Sequence, residues 1–416
     1  MATSIATVAL RPRFAVAVSA ALDLIDAFLS LSVAATIASG LVTPHLVTLT
    51  VVFAGLVGGI CWNLSTWFLG LPSSSSHALI GGMIGASIAP SGTGAVQWNG
   101  LISKVLFPAC LSPVIAGLVA AIGTYLVYRT SRGTPDRIRD RGFGVGQIGS
   151  ASLVSLAHGT NDAQKTMGII TLALIANGNV PAGTKAQFWV ILSCALAISS
   201  GTYAGGWRVI RTLGSGLVSI ESPQGMAEES ASAASLLLAT HFGYALSTTH
   251  VSTGSLLGAG VGREGAKVRR HVAGRMVITW LIALPIAALI GAAAYVAAVG
   301  VGATPGVLVV LAVLVALAAT SFVRSRGNVV NASNVNDDWP ASATPTTGPT
   351  VAAAAPLGDQ PQAAEYTQTR GVQTWHHYRC SAPSSGFCVP ATPKGFRSRT
   401  TSRCSHCSPG DSATKK

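Results

Sequence analysis

A group of polar side chains interrupts an otherwise apolar part of this chain between Gly159 and Thr166. The run contains a carboxylate, an ammonium group and two amides, contributed by Asn161, Asp162, Gln164 and Lys165. An ionisable group at the centre of a bilayer costs roughly 2.5 to 3.5 kcal/mol, so such groups usually line an internal path or a binding site. The pattern indicates a transport pathway.

Asp162 and Lys165 lie three residues apart and therefore share one face of a helix. A buried ion pair between them is one interpretation. The other is that Asp162 lines the transport pathway or its binding site, and the two roles can alternate.

The composition is that of a membrane protein with several spans, since 49% of the 416 residues are hydrophobic and only 10% are charged. Apolar stretches are long enough to cross a hydrocarbon core of roughly 30 Å, and strand-like alternation is absent from them. The predicted long spans are 14–39, 46–69, 102–128, 186–206, 272–299 and 306–323. Shorter, glycine-broken spans are predicted near 77–90, 143–157, 163–177, 230–246 and 247–262.

The net charge of +13 does not predict nucleic-acid binding, because the basic residues fall in short loops between spans. The positive-inside rule makes those loops cytoplasmic, including a basic loop at 129–142. We expect a multi-pass protein of the plasma membrane.

The tail at 324–416 is predicted to be cytoplasmic and, given its composition beyond about Asp337, disordered. Only Cys404 and Cys407 in the tail have zinc-ligand spacing, and we expect no metal site.

The chain contains an internal duplication at a shift of 173 residues. Ser74-Ser75-Ser76-His77 aligns with Ser247-Thr248-Thr249-His250, and Gly81 and Gly85 then align with Gly254 and Gly258. Threading the spans through the charged loops makes the two copies run in opposite directions. We therefore predict an all-α, polytopic integral membrane protein with inverted-topology repeats and interrupted, re-entrant helices. The first repeat is 1–128 and the second is 143–323.

Each hydroxyl cluster precedes a glycine-spaced helix, where free backbone N–H groups attract anions. Two such clusters approaching from opposite repeats would form a cage for one anion. The alternative is that the hydroxyls bond to helix carbonyls and the glycines only permit close packing. His77 and His250 would orient the hydroxyls or relay protons.

Three segments resemble the inorganic phosphate transporter (PiT) family of ion-coupled phosphate symporters. They are GLPSSSSHALIGG from Gly70, AHGTNDAQKTMGIITLALI from Ala157 and GYALSTTHVSTGSLLGAGVG from Gly243. The resemblance covers roughly residues 1–336. It implies import of inorganic phosphate with protons or sodium by alternating access, without a cofactor or an enzymatic reaction. A homodimer is expected from family likeness, and transport of phosphate as a metal complex stays open.

The resemblance also assigns the site residues. Phosphate would be bound by Ser74, Ser75, Ser76, Asn161, Ser247, Thr248 and Thr249, and the coupling ion by Asp162, Gln164 and Lys165, with His77 and His250 as a proton relay. Members of the PiT family carry two signature motifs, one in each repeat, and the segment of this chain that resembles them corresponds to the second motif. The first would precede Ala2, so we expect that the chain begins inside its first repeat.

Three other functions are consistent with parts of the sequence. A similar cage would suit another oxyanion such as sulfate, and a relative lacking one motif could be inactive in transport. An intramembrane hydrolase would need one activated nucleophile with an oriented base, and neither a Gly-x-Ser-x-Gly elbow nor a His-Glu-x-x-His motif is found. Asp23 and Asp26, one turn apart in the first span, lie outside the family motif and are either pathway residues or sequence drift.

Overall fold

The computed structural model describes residues 1–263, 266, 268–327, 329–337, 378–379 and 389–390, and helices dominate them. The predicted disordered tail lies almost wholly outside this range. The helices are α1 (Ala2–Ala6), α2 (Pro12–Asp26), α3 (Ser32–Gly40), α4 (Leu49–Leu69), α5 (Ser75–Ser91), α6 (Trp98–Leu101), α7 (Phe107–Thr130), α8 (Asp136–Ala176), α9 (Phe188–Ala204), α10 (Trp207–Arg211), α11 (Ser222–His241), α12 (Thr248–Val261), α13 (Arg270–Gly300) and α14 (Ala303–Ser325).

Short irregular helical turns complete the chain. The segments Pro44–Leu46 and Thr93–Ala95 are 3-10 turns, and Ile102–Leu106 and Thr212–Gly216 are π turns. The first π turn joins α6 to α7, so that Trp98–Thr130 forms one continuous helical segment. Near the C-terminus, two-residue strands at Tyr378–Arg379 and Val389–Pro390 pair antiparallel.

Four helices in the described part of the chain are long and apolar enough to cross a membrane, namely Leu49–Leu69, Trp98–Thr130, Arg270–Gly300 and Thr304–Ser325. A fifth candidate span consists of Phe188–Ala204 and Trp207–Gly216, which meet at a bend of 63°. Together these helices confirm the prediction of a helical, multi-pass membrane protein.

The predicted span 14–39 is two helices in the structure, α2 and α3, separated at Ala27–Leu31. The first turn of α3 is capped from outside the segment, because the backbone N–H groups of Val33 and Ala34 both donate to Oε1 of Gln164, at 2.8 and 3.2 Å. A helix terminus inside a bilayer requires such partners for its free N–H groups. The break was not predicted because its cap is distant in sequence.

The opposite difference is found at 143–157 and 163–177, where two predicted short spans are one helix. They form the single helix α8, which begins at Asp136 and therefore also occupies part of the predicted loop 129–142. A helix satisfies its own backbone, so a polar run needs no break if each side chain finds a partner on another helix. Helix α11 likewise begins at Ser222, eight residues before the predicted span, with Glu221 and Gln224 forming a capping box.

The two glycine-spaced helices pack in a reciprocal manner. Helix α5 of the predicted first repeat packs against α13 of the second, with Gly81 and Gly85 facing the backbone of α13. Helix α12 of the second repeat packs against α7 of the first, with Gly254 and Gly258 facing the backbone of α7. Small residues permit this close approach in membrane proteins. This reciprocal packing of α5 on α13 and of α12 on α7 supports the internal duplication. The inverted orientation of the two repeats stays a prediction.

We predict that Gly258→Ala destabilises the protein whereas Gly274→Ala does not. A Cβ at Gly258 would collide with the carbonyl oxygen of Gly117, and overpacking of this kind costs about 1 to 3 kcal/mol. Gly274 is an exposed helical position with no neighbour near an added Cβ, and alanine favours helix there. Thermal unfolding in detergent checks both variants. Equal stability of the two variants would contradict this packing.

Candidate functional site

The two hydroxyl clusters form matching helix N-termini. Ser74 caps α5 by accepting from the backbone N–H of His77 at 3.1 Å, and Ser247 caps α12 by accepting from that of His250 at 3.3 Å. Four residues before each cap, the chain turns at a glycine with positive φ, 66° at Gly70 and 70° at Gly243. Such a backbone conformation favours glycine. The aligned copies therefore adopt the same local structure.

The two N-termini face each other through reciprocal hydrogen bonds. The hydroxyl of Ser76 donates to the carbonyl of Leu246 at 3.3 Å, and the hydroxyl of Thr249 donates to the carbonyl of Ser73 at 3.0 Å. Both pairs are related by the same shift of 173 residues. The first N–H groups of each helix have no intrahelical acceptor and carry the positive end of the helix dipole. Their meeting point is suited to an anion.

The rings of His77 and His250 stack across this junction, with centroids 4.8 Å apart and an interplanar angle of 22°. Nδ1 of His77 lies 2.6 Å from Oγ of Ser74, and the ring of His250 also contacts Trp280 at 4.2 Å between centroids. The stack joins α5 to α12 directly behind the hydroxyl clusters. Its position is compatible with both predicted roles, orientation of hydroxyls and proton relay.

Lys165 lies at the centre of the site and is almost completely buried. Its Nζ donates to Oδ1 of Asp162 at 2.5 Å, to Oγ of Ser76 at 2.6 Å and to the carbonyl of Leu246 at 2.6 Å. These bonds use all three donors of the ammonium group. The structure therefore contains the buried ion pair that the spacing of Asp162 and Lys165 predicted as one alternative.

The other two amides of the polar run have different surroundings. Nδ2 of Asn161 donates to Oγ1 of Thr240 at 3.0 Å, while its buried Oδ1 makes no hydrogen bond among the described residues. Gln164 points toward α3, where its Oε1 caps the helix and its Nε2 donates to the carbonyl of Thr160 at 2.6 Å. Asn161 thus keeps a free acceptor, whereas both ends of Gln164 are engaged away from Asp162.

Equivalent hydroxyls of the two repeats line different cavities. Ser75 borders a cleft of about 660 Å³ together with Asp162. Thr248, its counterpart at the 173-residue shift, borders a second cavity of about 250 Å³ and donates to Oδ2 of Asp162 at 3.0 Å. Asp162 therefore lies where the two cavities approach each other.

A chain of polar contacts extends from Asp162 to α2 and α9. His158 borders both cavities, with its Nε2 3.2 Å from Oδ2 of Asp162 and its Nδ1 3.4 Å from Oδ1 of Asp23. Oγ1 of Thr202 donates to the other oxygen of Asp23 at 2.6 Å. Sequence reasoning left Asp23 open and gave His158 no role in the site. The available signal was the i, i+4 spacing of His158 and Asp162 on one helix.

Two further buried carboxylates, Glu228 and Glu229, were missed because the predicted span began at residue 230. The hydroxyl of Thr3 donates to both, at 3.1 and 2.6 Å, and Ser150 donates to Glu229 at 2.9 Å. They border the smaller cavity, which His158 and Thr248 also line. Two adjacent glutamates among alanines and serines were the signal available in the sequence.

We predict that Lys165→Met alone destabilises the protein by about 3 to 5 kcal/mol, because it leaves the Asp162 carboxylate buried without its cation. The double variant Lys165→Met with Asp162→Asn should recover much of that loss, since no charge is then stranded. Unfolding in mixed micelles by SDS measures each variant. A double variant as unstable as the single one would contradict the proposed dependence on the ion pair.

Comparison with known proteins agrees with this architecture. Residues 1–291 match the family model described as the phosphate transporter family. The chain is 59% identical over 361 residues to a probable low-affinity inorganic phosphate transporter of Mycobacterium bovis, with 86% of each chain covered. It is 40% identical over 297 residues to a protein of the same description from Bacillus subtilis, covering 71% of this chain and 89% of the relative.

A solved structure described as "The sodium-dependent phosphate transporter" has the same fold. The two superpose with a TM-score of 0.63 at 23% sequence identity, covering 71% of this chain and 92% of the other. The structural match supports the fold, and the sequence matches carry the family assignment. On this evidence, the chain belongs to the phosphate transporter family.

Proposed function

We propose that this protein imports inorganic phosphate across the plasma membrane by symport with protons, using alternating access. The observation that carries the proposal is the junction of two equivalent helix N-termini around the buried pair of Lys165 and Asp162. A catalytic role would require an activated nucleophile, whereas the reciprocal arrangement of the hydroxyls favours binding.

Phosphate would bind between the first turns of α5 and α12. Its oxygens can accept several hydrogen bonds, and the junction offers backbone N–H groups, the hydroxyls of Ser75 and Thr248, and the nearby ammonium of Lys165. Ser74 and Ser247 would act indirectly, because their hydroxyls already cap the helices. Ser76, Thr249 and Asn161 would rearrange from the contacts that they make in this conformation.

Coupling follows from the charge of Asp162. An ionised carboxylate beside phosphate is repelled by it, so Asp162 needs a cation or a proton whenever the substrate is bound. We propose that Lys165 turns from Asp162 to phosphate, and that the coupling ion replaces it at the carboxylate. When no phosphate is bound, Lys165 would pair with Asp162 again, so that the two charges of the empty site cancel. Gln164 would contribute by holding α3 in place.

Alternating access would use the two cavities. Ser75 and Thr248 border different cavities, and the glycines of α5 and α12 lie directly against the backbones of α13 and α7. Sliding of closely packed helices is a common way to open one path and close another. Each repeat would thereby control one route to the same substrate position.

The name of the structural neighbour includes sodium, while the names of the close sequence relatives include no cation. Sodium is therefore the alternative coupling ion. An imposed gradient of each ion across the proteoliposome membrane distinguishes proton coupling from sodium coupling.

A homodimer and transport of a metal–phosphate complex stay predictions from the family resemblance. The cytoplasmic position of the tail also stays a prediction.

A carrier of another oxyanion such as sulfate is the second candidate, because sulfate also accepts hydrogen bonds on four oxygens. Uptake of labelled phosphate in the presence of excess sulfate tests it. Strong inhibition by sulfate would favour a general oxyanion carrier, and undiminished uptake would favour phosphate.

We predict that Asp162→Asn abolishes accumulation of phosphate against its gradient, because the amide can neither bind the coupling ion nor return to its pairing with Lys165. The amount of protein in the membrane should stay normal. Labelled phosphate uptake measures the effect, with Asp337→Asn outside the spans as a control. Uphill accumulation by Asp162→Asn would contradict the proposed coupling role.

We predict that Ser75→Ala and Thr248→Val each raise the KM for phosphate by roughly tenfold, the loss expected for one hydrogen bond to an anion. Ser65→Ala is the matched control, since its hydroxyl bonds to the carbonyl of Cys61 on an exposed helix face. Concentration-dependent uptake gives the three KM values. An unchanged KM in both site variants would argue against this binding position.

A further inference from the structure

We propose that Asp23, Asp26 and His158 form the proton-carrying site of this transporter, with His158 linking it to Asp162. The inference rests on the proposed function and adds the residues that carry the coupled proton. It departs from the sequence-based expectation that His77 and His250 form the relay.

The first observation is the position of His158 between two carboxylates. Its Nε2 lies 3.2 Å from Asp162, and its Nδ1 lies 3.4 Å from Asp23, whose other oxygen accepts from Thr202. An imidazole has one N–H when neutral and two when protonated, so only the protonated ring can donate to both carboxylates. The geometry suits a group that gains and loses a proton.

The second observation is independent and concerns Asp26. Its side chain is completely buried, and its nearest polar neighbours are the backbone N–H groups of Gly159 and Thr160 in α8, which form no hydrogen bond of normal geometry with either carboxylate oxygen. The carboxylate lies against the backbone of Gly159, where a Cβ would collide with both oxygens. An ionised carboxylate buried without a partner is strongly disfavoured, and such groups become neutral by binding a proton. Asp26 therefore holds a proton in this conformation.

A count of charges gives the same result. The groups that face the cluster are Asp23 and Asp26 from α2, and His158, Asp162 and Lys165 from α8, while α9 and α12 contribute the hydroxyls of Thr202 and Thr248. With His158 and Lys165 protonated, three carboxylates oppose two cations. One additional proton makes the cluster neutral, as burial away from water favours.

The arrangement also favours a proton over a metal cation. The ring of His158 occupies the space between Asp23 and Asp162 that a cation shared by these carboxylates would need. In its protonated form it would also repel such a cation. His158 borders both cavities, and 38% of its side chain is exposed. The ring can therefore take up a proton from the water of either cavity and pass its Nδ1 proton to Asp23, and the reverse transfer releases it.

The test uses proteoliposomes containing the full chain and two readouts. Exchange of labelled phosphate at equal concentrations on both sides reports substrate binding and translocation without net ion flow. A pH-sensitive dye inside the vesicles reports protons moved per phosphate during net uptake. The variants are Asp26→Asn, Asp23→Asn with Asp26→Asn, and His158→Gln. Ser199→Ala is the control, because its hydroxyl joins α9 to α2 at Ala20 outside the cluster.

We expect Asp26→Asn and the double variant Asp23→Asn with Asp26→Asn to retain phosphate exchange, and all three cluster variants to lose proton movement per phosphate by roughly tenfold, within the usual range of coupling between sites. The dependence of net uptake on external pH should flatten in the same variants. Ser199→Ala should behave like the parent protein in both assays.

Three results would overturn the inference. The first is an unchanged ratio of protons to phosphate in the variants. The second is loss of exchange together with proton movement in the isosteric Asp26→Asn at normal membrane levels, which would place the cluster in substrate binding or folding. The third is parent uptake driven by sodium without proton movement. Absence of phosphate exchange by the parent protein would instead overturn the proposed function, and this inference with it.

Discussion

The buried ammonium group of Lys165 is the interaction on which the other parts of the site depend. Its three hydrogen bonds connect α8 to Ser76 on α5, to the carbonyl of Leu246 just before α12, and to Asp162. A charge in this position is stable only while every donor has an acceptor. The requirement brings α8 into contact with the helix N-termini at both hydroxyl clusters, and thereby determines where two helix dipoles converge.

The same constraint is the basis of the proposed transport mechanism. In the conformation described here, Lys165 and Asp162 neutralise each other and the first turns of α5 and α12 keep N–H groups for another acceptor. In the mechanism proposed above, an arriving anion competes with Asp162 for the lysine, and the carboxylate released from the pair then acquires a positive charge. In this proposal, electrostatics links substrate binding to ion binding. The contacts of His158 with Asp162 and Asp23 extend the proposed link to α2, outside the motif by which the family is identified.

Much of this could be predicted from the sequence, because the decisive patterns are local. Composition and span length indicated a helical membrane protein, and the 173-residue shift located the equivalent hydroxyl clusters that begin at Ser74 and Ser247. The break between α2 and α3 could not be predicted, since its cap is the side chain of Gln164, about 130 residues away. The continuity of α8 was missed for a related reason: the polar run finds its partners on other helices. Asp26 became informative only once its burial was known.

The most direct test of the central claim is a structure of the protein with arsenate, a heavier analogue of phosphate whose anomalous scattering identifies its position. The account predicts an arsenate ion between the first turns of α5 and α12, within hydrogen-bonding distance of Ser75 and Thr248, with the ammonium of Lys165 turned from Asp162 toward the anion. Arsenate bound elsewhere, or bound at this junction with the Lys165–Asp162 pair intact, would contradict it.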